Sequence, residues 1–176
     1  MKLILIITMM MMMTIVKSQA VSVLPLNFKT IDGYNMTNDF LKSKTIIIST
    51  FDASSPNVQI LKMLDSFQRM YYMSALVIAI PINDFGVPIP LKTLMPFLKD
   101  SMKLCFPVMQ ISQGKAGANQ NAIWKWVTDS TRSYFRIKMT TPNQTLMINS
   151  SGVPYVYFQE NETLAIDKIK QFLPSN

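Results

Sequence analysis

Ile46-Ile-Ile-Ser-Thr-Phe-Asp-Ala-Ser-Ser-Pro-Asn-Val-Gln-Ile-Leu61, read together with Val77-Ile-Ala-Ile-Pro-Ile-Asn-Asp-Phe-Gly86, decides the fold of this 176-residue chain. Thr45 to Thr50 is β-branched and almost wholly apolar, the pattern of a strand buried on both faces. Ser55 then Pro56 reads as an N-cap followed by the first helical residue. Val58, Leu61, Leu64, Phe67 and Tyr71 recur at three- and four-residue spacing, which predicts a helix with one apolar face. Ala75 to Ile80 is the next buried strand. Strand, helix and strand of these lengths argue for a right-handed parallel crossover.

The flanking segments extend this unit. Asp32-Gly33 between Phe28–Ile31 and Tyr34–Met36 predicts a hairpin. A helix is expected from Leu91 to Met102, a short strand from Val108 to Ile111, a loop from Gln113 to Gln120 and a short helix from Ala122 to Val127. Trp124 and Trp126 read as packing residues. Leu146–Asn149 and Val153–Phe158 form a second hairpin around Ser150-Ser151-Gly152. Asn161 is expected to cap a last helix, with Ala165, Ile166, Ile169, Phe172 and Leu173 on one face. The order predicts an α/β thioredoxin-like fold, a central mixed sheet of four or five strands flanked by helices.

Residues 1–20 read as a secretory signal peptide. Lys2 supplies the positive start, Leu3 to Val16 the apolar run, and Ser18-Gln19-Ala20 the cleavage site. The apolar run is shorter than the ~20 residues a membrane span needs. Residues 21–176 are then a single domain, secreted and extracellular, with no membrane span. Losing Lys2 and Lys17 lowers the formal charge from the +7 of the whole chain by two. The remaining lysines are scattered, which argues for a solvated basic face and against a nucleic-acid partner. Four sequons, at Asn35, Asn143, Asn149 and Asn161, are glycosylation candidates. Asn149, in a Ser-Ser-Gly turn, reads as the best acceptor and Asn143 as the weakest.

The chain has no histidine and one cysteine. Ser-His-Asp and Cys-His activation are therefore excluded, and no intramolecular disulfide can form. A zinc site would need several carboxylates, and no clustered set appears. No phosphate-binding glycine loop is present. No cofactor and no metal are expected. Cys105, between Leu104 and Phe106, is a free thiol expected to be buried, with a Cys105-linked dimer as the alternative.

The two quoted segments, in this order, resemble the glutathione peroxidase family, whose second strand ends in Phe-Pro-x-Asn-Gln-Phe-Gly. Phe106-Pro107, Ile111-Ser-Gln-Gly114 and Ala122-Ile-Trp-Lys-Trp-Val127 resemble further landmarks of that family, and the resemblance runs from Leu24 to Leu173. It implies a peroxidatic Cys or selenocysteine four residues before Pro56, a supporting Gln and a Trp-Asn pair. In this chain those positions fall on Asp52, Asp84, Thr141 and Pro142. The helical resolving Cys of some members would lie near Lys99, and it is absent; the chain also lacks the subunit-contact insertion of tetrameric members and resembles the shorter branch, which implies a monomer. A carboxylate cannot be oxidised to a sulfenic acid or form a mixed disulfide. The resemblance also implies a helix start whose partial positive charge would hold the Asp52 carboxylate.

The expected function is thus a secreted glutathione-peroxidase-like pseudoenzyme that binds an extracellular protein or peptide. The alternative is an oxidoreductase that reduces hydroperoxides weakly through Cys105 or another site. A third reading makes Asp52 and Asp84 an acid–base pair. By its place before the penultimate strand, Thr141–Pro142 is expected to be cis.

Overall fold

The computed structural model describes residues 27–37, 44–130 and 137–158. The signal peptide, Asn161 and the last helix lie outside the described residues. Strand β1 (Phe28–Lys29) pairs antiparallel with β2 (Asn35–Met36). Gly33 takes a φ of +89° in the turn between them, which a residue with a side chain rarely adopts. The neighbouring Asp32 carboxylate lies 3.1 Å from the Lys99 ammonium.

Strand β3 (Thr45–Asp52) runs parallel to β4 (Ala75–Ile82), joined by helix α1 (Val58–Met70). β5 (Thr145–Ile148) lies antiparallel on the other side of β3 and pairs in turn with β6 (Pro154–Phe158). The sheet order is β4-β3-β5-β6, a mixed sheet of four strands. Successive residues of a strand face opposite ways, and the core divides accordingly. Ile47, Phe51, Val77 and Ala79 pack with Leu61, Leu64 and Phe67 of α1. Ile46, Ile48, Ile78 and Ile80 pack on the other face with Ile123, Trp124 and Val127. Both faces are covered, which is why the strands read as unbroken apolar runs.

Several boundaries differ from the sequence reading. Helix α1 starts later than Ser55-Pro56 predicts. Asn57 is the N-cap, its side-chain oxygen accepting from the amides of Gln59 (3.1 Å) and Ile60 (3.2 Å). Ser54 is committed to Asp52 instead, so the chain turns before it coils. Val58 is exposed, and Gln68 takes a core position. The Gln68 amide donates to the Ala75 carbonyl (3.2 Å) and accepts from the Val77 amide (2.7 Å), so a polar side chain sutures α1 to β4.

The predicted 91–102 helix is α2 (Leu91–Pro96) followed by one π turn, Phe97–Ser101. Pro96 carries no N–H and cannot support the regular ladder; the Met102 amide donates to the Phe97 carbonyl at 2.9 Å. The expected strand 108–111 is a line of single bridges, Val108 and Ser112 to β4 and Met109 to Thr30. It ties the first hairpin to the sheet. Helix α3 (Ala122–Ser130) runs further than expected, with Trp124 and Trp126 buried as packing residues. The β5–β6 turn is closed by Asn149, whose side-chain oxygen accepts from the Ser151 (3.0 Å) and Val153 (2.9 Å) amides. No helix among the described residues is long and apolar enough to cross a membrane.

Candidate functional site

Asp52 is the last residue of β3, half-buried, and pairs in register with Ile82, the last residue of β4. One carboxylate oxygen accepts from both the Ser54 amide (2.8 Å) and the Ser54 hydroxyl (2.7 Å). The chain past it is fastened to the second quoted segment. The Ala53 amide donates to the Ile82 carbonyl (2.8 Å), and the Ile89 amide to the Ala53 carbonyl (2.9 Å). Gly86 lies so near that a Cβ on it would come within 2.5 Å of the Ser54 hydroxyl oxygen. The expectation that a helix start holds Asp52 is corrected here. The second and third amides of α1 donate to Asn57, and the donors to Asp52 come from its own turn.

Asp84 follows β4. Its carboxylate accepts from the backbone amides of Gly114 and Lys115, the latter at 3.2 Å. The Lys115 ammonium donates to the Asp84 carbonyl (3.4 Å) and lies 5.0 Å from the centre of the Phe85 ring. A Cβ on Gly114 would come within 2.6 Å of the Met139 methyl and 3.2 Å of the Asp84 carboxylate, so a side chain there would require the Met139 and Asp84 side chains to shift. Each carboxylate therefore has its own donors, and no hydrogen bond joins Asp52 to Asp84. The geometry does not form a proton-sharing pair.

Thr141 and Pro142 reach the same end of the sheet. The Thr50 hydroxyl donates to the Pro142 carbonyl and accepts from the Gln144 amide (3.0 Å). The Gln144 side-chain amide donates to the Lys138 carbonyl at 2.9 Å and lies 3.4 Å from the Thr141 hydroxyl. Continued two residues past Thr50, the β3–β5 register sets Asp52 opposite Pro142. No cis peptide bond occurs among the described residues, so Thr141–Pro142 is trans and the expected cis bond is corrected. Thr50 holds the extended approach to β5 without it. All four positions named by the resemblance thus lie around the ends of β3 and β4, and none carries a thiol.

Cys105 lies elsewhere and is exposed. The expectation of burial fails because the stretch alternates: Leu104 and Phe106 turn inward, and the residue between them must face out. Its amide donates to the Asp65 carboxylate (2.7 Å), and its sulfur lies 3.8 Å from the Asp65 carbonyl. Arg69 donates to the other Asp65 oxygen (2.7 Å) and to the Lys103 carbonyl (2.8 Å). Partial burial and the Asp65 carboxylate push the Cys105 thiol up to about 11. Burial works to raise Asp65 as well, but hydrogen bonds from Arg69 and Cys105 outweigh it and hold the carboxyl below its ordinary range.

Of the sequons, Asn35 is exposed and Asn143 is buried. Asn149 is half-buried, with its side-chain oxygen engaged in the turn. The sequence reading missed an open depression of about 720 Å3 beside the Asp84-held loop, lined by Lys115, Gln120, Asp129, Lys138 and Thr140 among others. Its walls come from segments far apart in the chain, so no local pattern announces it. No group of three or more metal-ligating His, Cys, Asp or Glu occurs among the described residues.

Comparison with solved structures places this architecture. A protein named Trgpx, in its apo form, superposes with a TM-score of 0.63 at 14% identity, over 84% of this chain and 90% of that one. T. cruzi GPX1 gives 0.59 at 16% identity, over 82% and 88%. A secreted Mycobacterium tuberculosis disulfide oxidoreductase homologous to E. coli DsbE gives 0.58 at 11%, over 84% and 93%. The fold is thioredoxin-like. No family model and no curated protein matches the sequence. At these identities the thioredoxin-like scaffold is what is shared. Peroxidases and disulfide oxidoreductases both stand among the similar structures, so the scaffold alone does not choose a reaction.

Proposed function

We propose that this chain is a secreted, glutathione-peroxidase-like protein that has lost thiol peroxidase activity and binds an extracellular protein or peptide. The observation that carries the reading is Asp52, a carboxylate tied to Ser54 at the end of β3, where the resemblance calls for a sulfur or selenium nucleophile. The sulfur of Cys105 cannot stand in for it there, because it sits 3.8 Å from the Asp65 carbonyl in the second half of α1. Its thiol is also held protonated near neutral pH, and the thiolate is the nucleophile in such chemistry. The binding role is inferred from a sheet end that keeps its turns without its chemistry.

The second reading, weak peroxide reduction through Cys105, draws on the exposure of that residue. One experiment separates the two. Peroxide consumption is measured with glutathione or thioredoxin as reductant, for the wild type, Asp52→Cys and Cys105→Ser. No wild-type turnover is the expected result, and any activity gained by Asp52→Cys locates the loss at that position. Wild-type turnover that vanishes in Cys105→Ser overturns the reading and makes Cys105 the site.

A further inference from the structure

We propose that Asn35 carries an N-linked glycan and that the sequon at Asn143 stays bare. The inference rests on the secretion proposed above, because the glycan is added along the secretory route. Both asparagines satisfy the same Asn-x-Ser/Thr rule. The fold treats them in opposite ways.

The first hairpin turns the working residues of its sequon outward. Asn35 stands opposite Lys29, and Met36 opposite Phe28. Residues directly opposite each other share one face of a strand pair. Phe28 belongs to the core cluster on the α3 side of the sheet, and Met36 packs against that cluster. Lys29 and Asn35 are exposed and take the other face. Thr37, two residues on from Asn35, is exposed as well, as the alternation of a strand requires. Strand β2 pairs with β1 alone among the described residues, so the acceptor lies at the rim of the fold. A glycan is bulky and hydrophilic, and here it has solvent to occupy.

Asn143-Gln144-Thr145 is buried throughout. The Thr145 and Ser49 hydroxyls share a buried hydrogen bond of 2.9 Å, at a position where β5 and β3 are in register. The Gln144 amide donates to the Thr50 hydroxyl at 3.0 Å. A sugar on Asn143 would need a path through a close-packed interior. The approach to β5 could not then close on Thr50, so a copy modified there could not reach this structure.

The transfer to Asn35 is a substitution at a sugar carbon. The donor is an oligosaccharide carried on a polyprenyl pyrophosphate. The side-chain amide nitrogen bonds to the anomeric carbon, and the carbon–oxygen bond to the pyrophosphate breaks. The pyrophosphate leaves with the electron pair, and the amide gives up one proton.

The test uses the full chain expressed in cultured eukaryotic cells. A second version has residues 1–20 replaced by a proven secretory leader. Peptide-N-glycosidase in heavy-oxygen water converts each glycosylated asparagine to a labelled aspartate, which peptide mass spectrometry locates. Asn35 is expected to be labelled and Asn143 unlabelled in both secreted proteins. Asn35→Gln and Thr37→Ala are each expected to lose the mass of one glycan, Thr37→Ser to keep it, and Asn143→Gln to change nothing. Secreted protein from the second version with Asn35 unlabelled overturns the proposal, and so does a label on Asn143. Native chain retained and unlabelled, beside a secreted second version labelled at Asn35, overturns the secretion reading and leaves the acceptor assignment standing.

Discussion

Replacing Gly86 with alanine puts the packing of the two sheet-end turns to the test. Gly86 has no positive φ, so alanine can adopt its backbone conformation. Where space is available, such a change stabilises by about 0.4–1 kcal/mol, because the unfolded chain loses freedom. Space is lacking here. The new Cβ would meet the Ser54 hydroxyl oxygen at 2.5 Å and the Ser54 Cβ at 2.9 Å. The second of these atoms cannot be moved by rotating the hydroxyl away. Overpacking of this kind costs roughly 1–3 kcal/mol, which exceeds the entropic gain. Gly86→Ala is expected to lower the melting temperature by several degrees, at about 2–4 °C per kcal/mol for a domain of this size. Ser54→Gly removes both clashing atoms at the cost of the hydroxyl bond to Asp52. In that background Gly86→Ala should cost little or become favourable, a coupling that a double-mutant cycle followed by thermal and urea denaturation will show. An equal cost in both backgrounds, or none in the wild type, refutes the claim that Ser54 and Gly86 lock the site.

Gln68→Leu should destabilise by about 1–3 kcal/mol or more, since it strands the buried Val77 amide and Ala75 carbonyl; chemical denaturation reads it, and a neutral result would dissolve the suture between α1 and β4. Asp65→Asn should bring the Cys105 thiol down from about 11 and speed its alkylation at mildly alkaline pH, measured by mass spectrometry against time. The same carboxyl lies below its ordinary range when folded, so its stabilising contribution is complete above the unfolded value of 3.8 and fades as pH falls through the lower folded value. Denaturation midpoints across that acid window should therefore fall less steeply in Asp65→Asn than in the wild type.

The parallel unit was legible because its signals are local and redundant. Ile46–Ile48 and Val77–Ile80 announce buried strands, and the stripe through Leu61, Leu64 and Phe67 announces the helix between them. What failed depends on partners distant in sequence. Ser55-Pro56 is a sound helix start in isolation; Asn57 wins because the serine turn before it closes on Asp52. Cys105 looked buried from its apolar neighbours, when alternation along an extended segment was the better guide. Gln68 carries no sequence mark of a core residue, because its partners are the backbone groups of another element. The site positions were found through a resemblance, and their chemistry was not. That Asp84 binds the Gly114–Lys115 loop is a contact across thirty residues which no local motif encodes.

The capture of the α1 amides by Asn57 bears on ancestry. If a thiolate once stood at position 52, the first turn of this helix was the natural source of the field that kept it ionised. Those amides now answer to a neutral neighbour. Under the function proposed above, sulfur restored at position 52 returns to a turn whose donors come from Ser54, and position 57 is the next place to look for activity that Asp52→Cys alone does not regain.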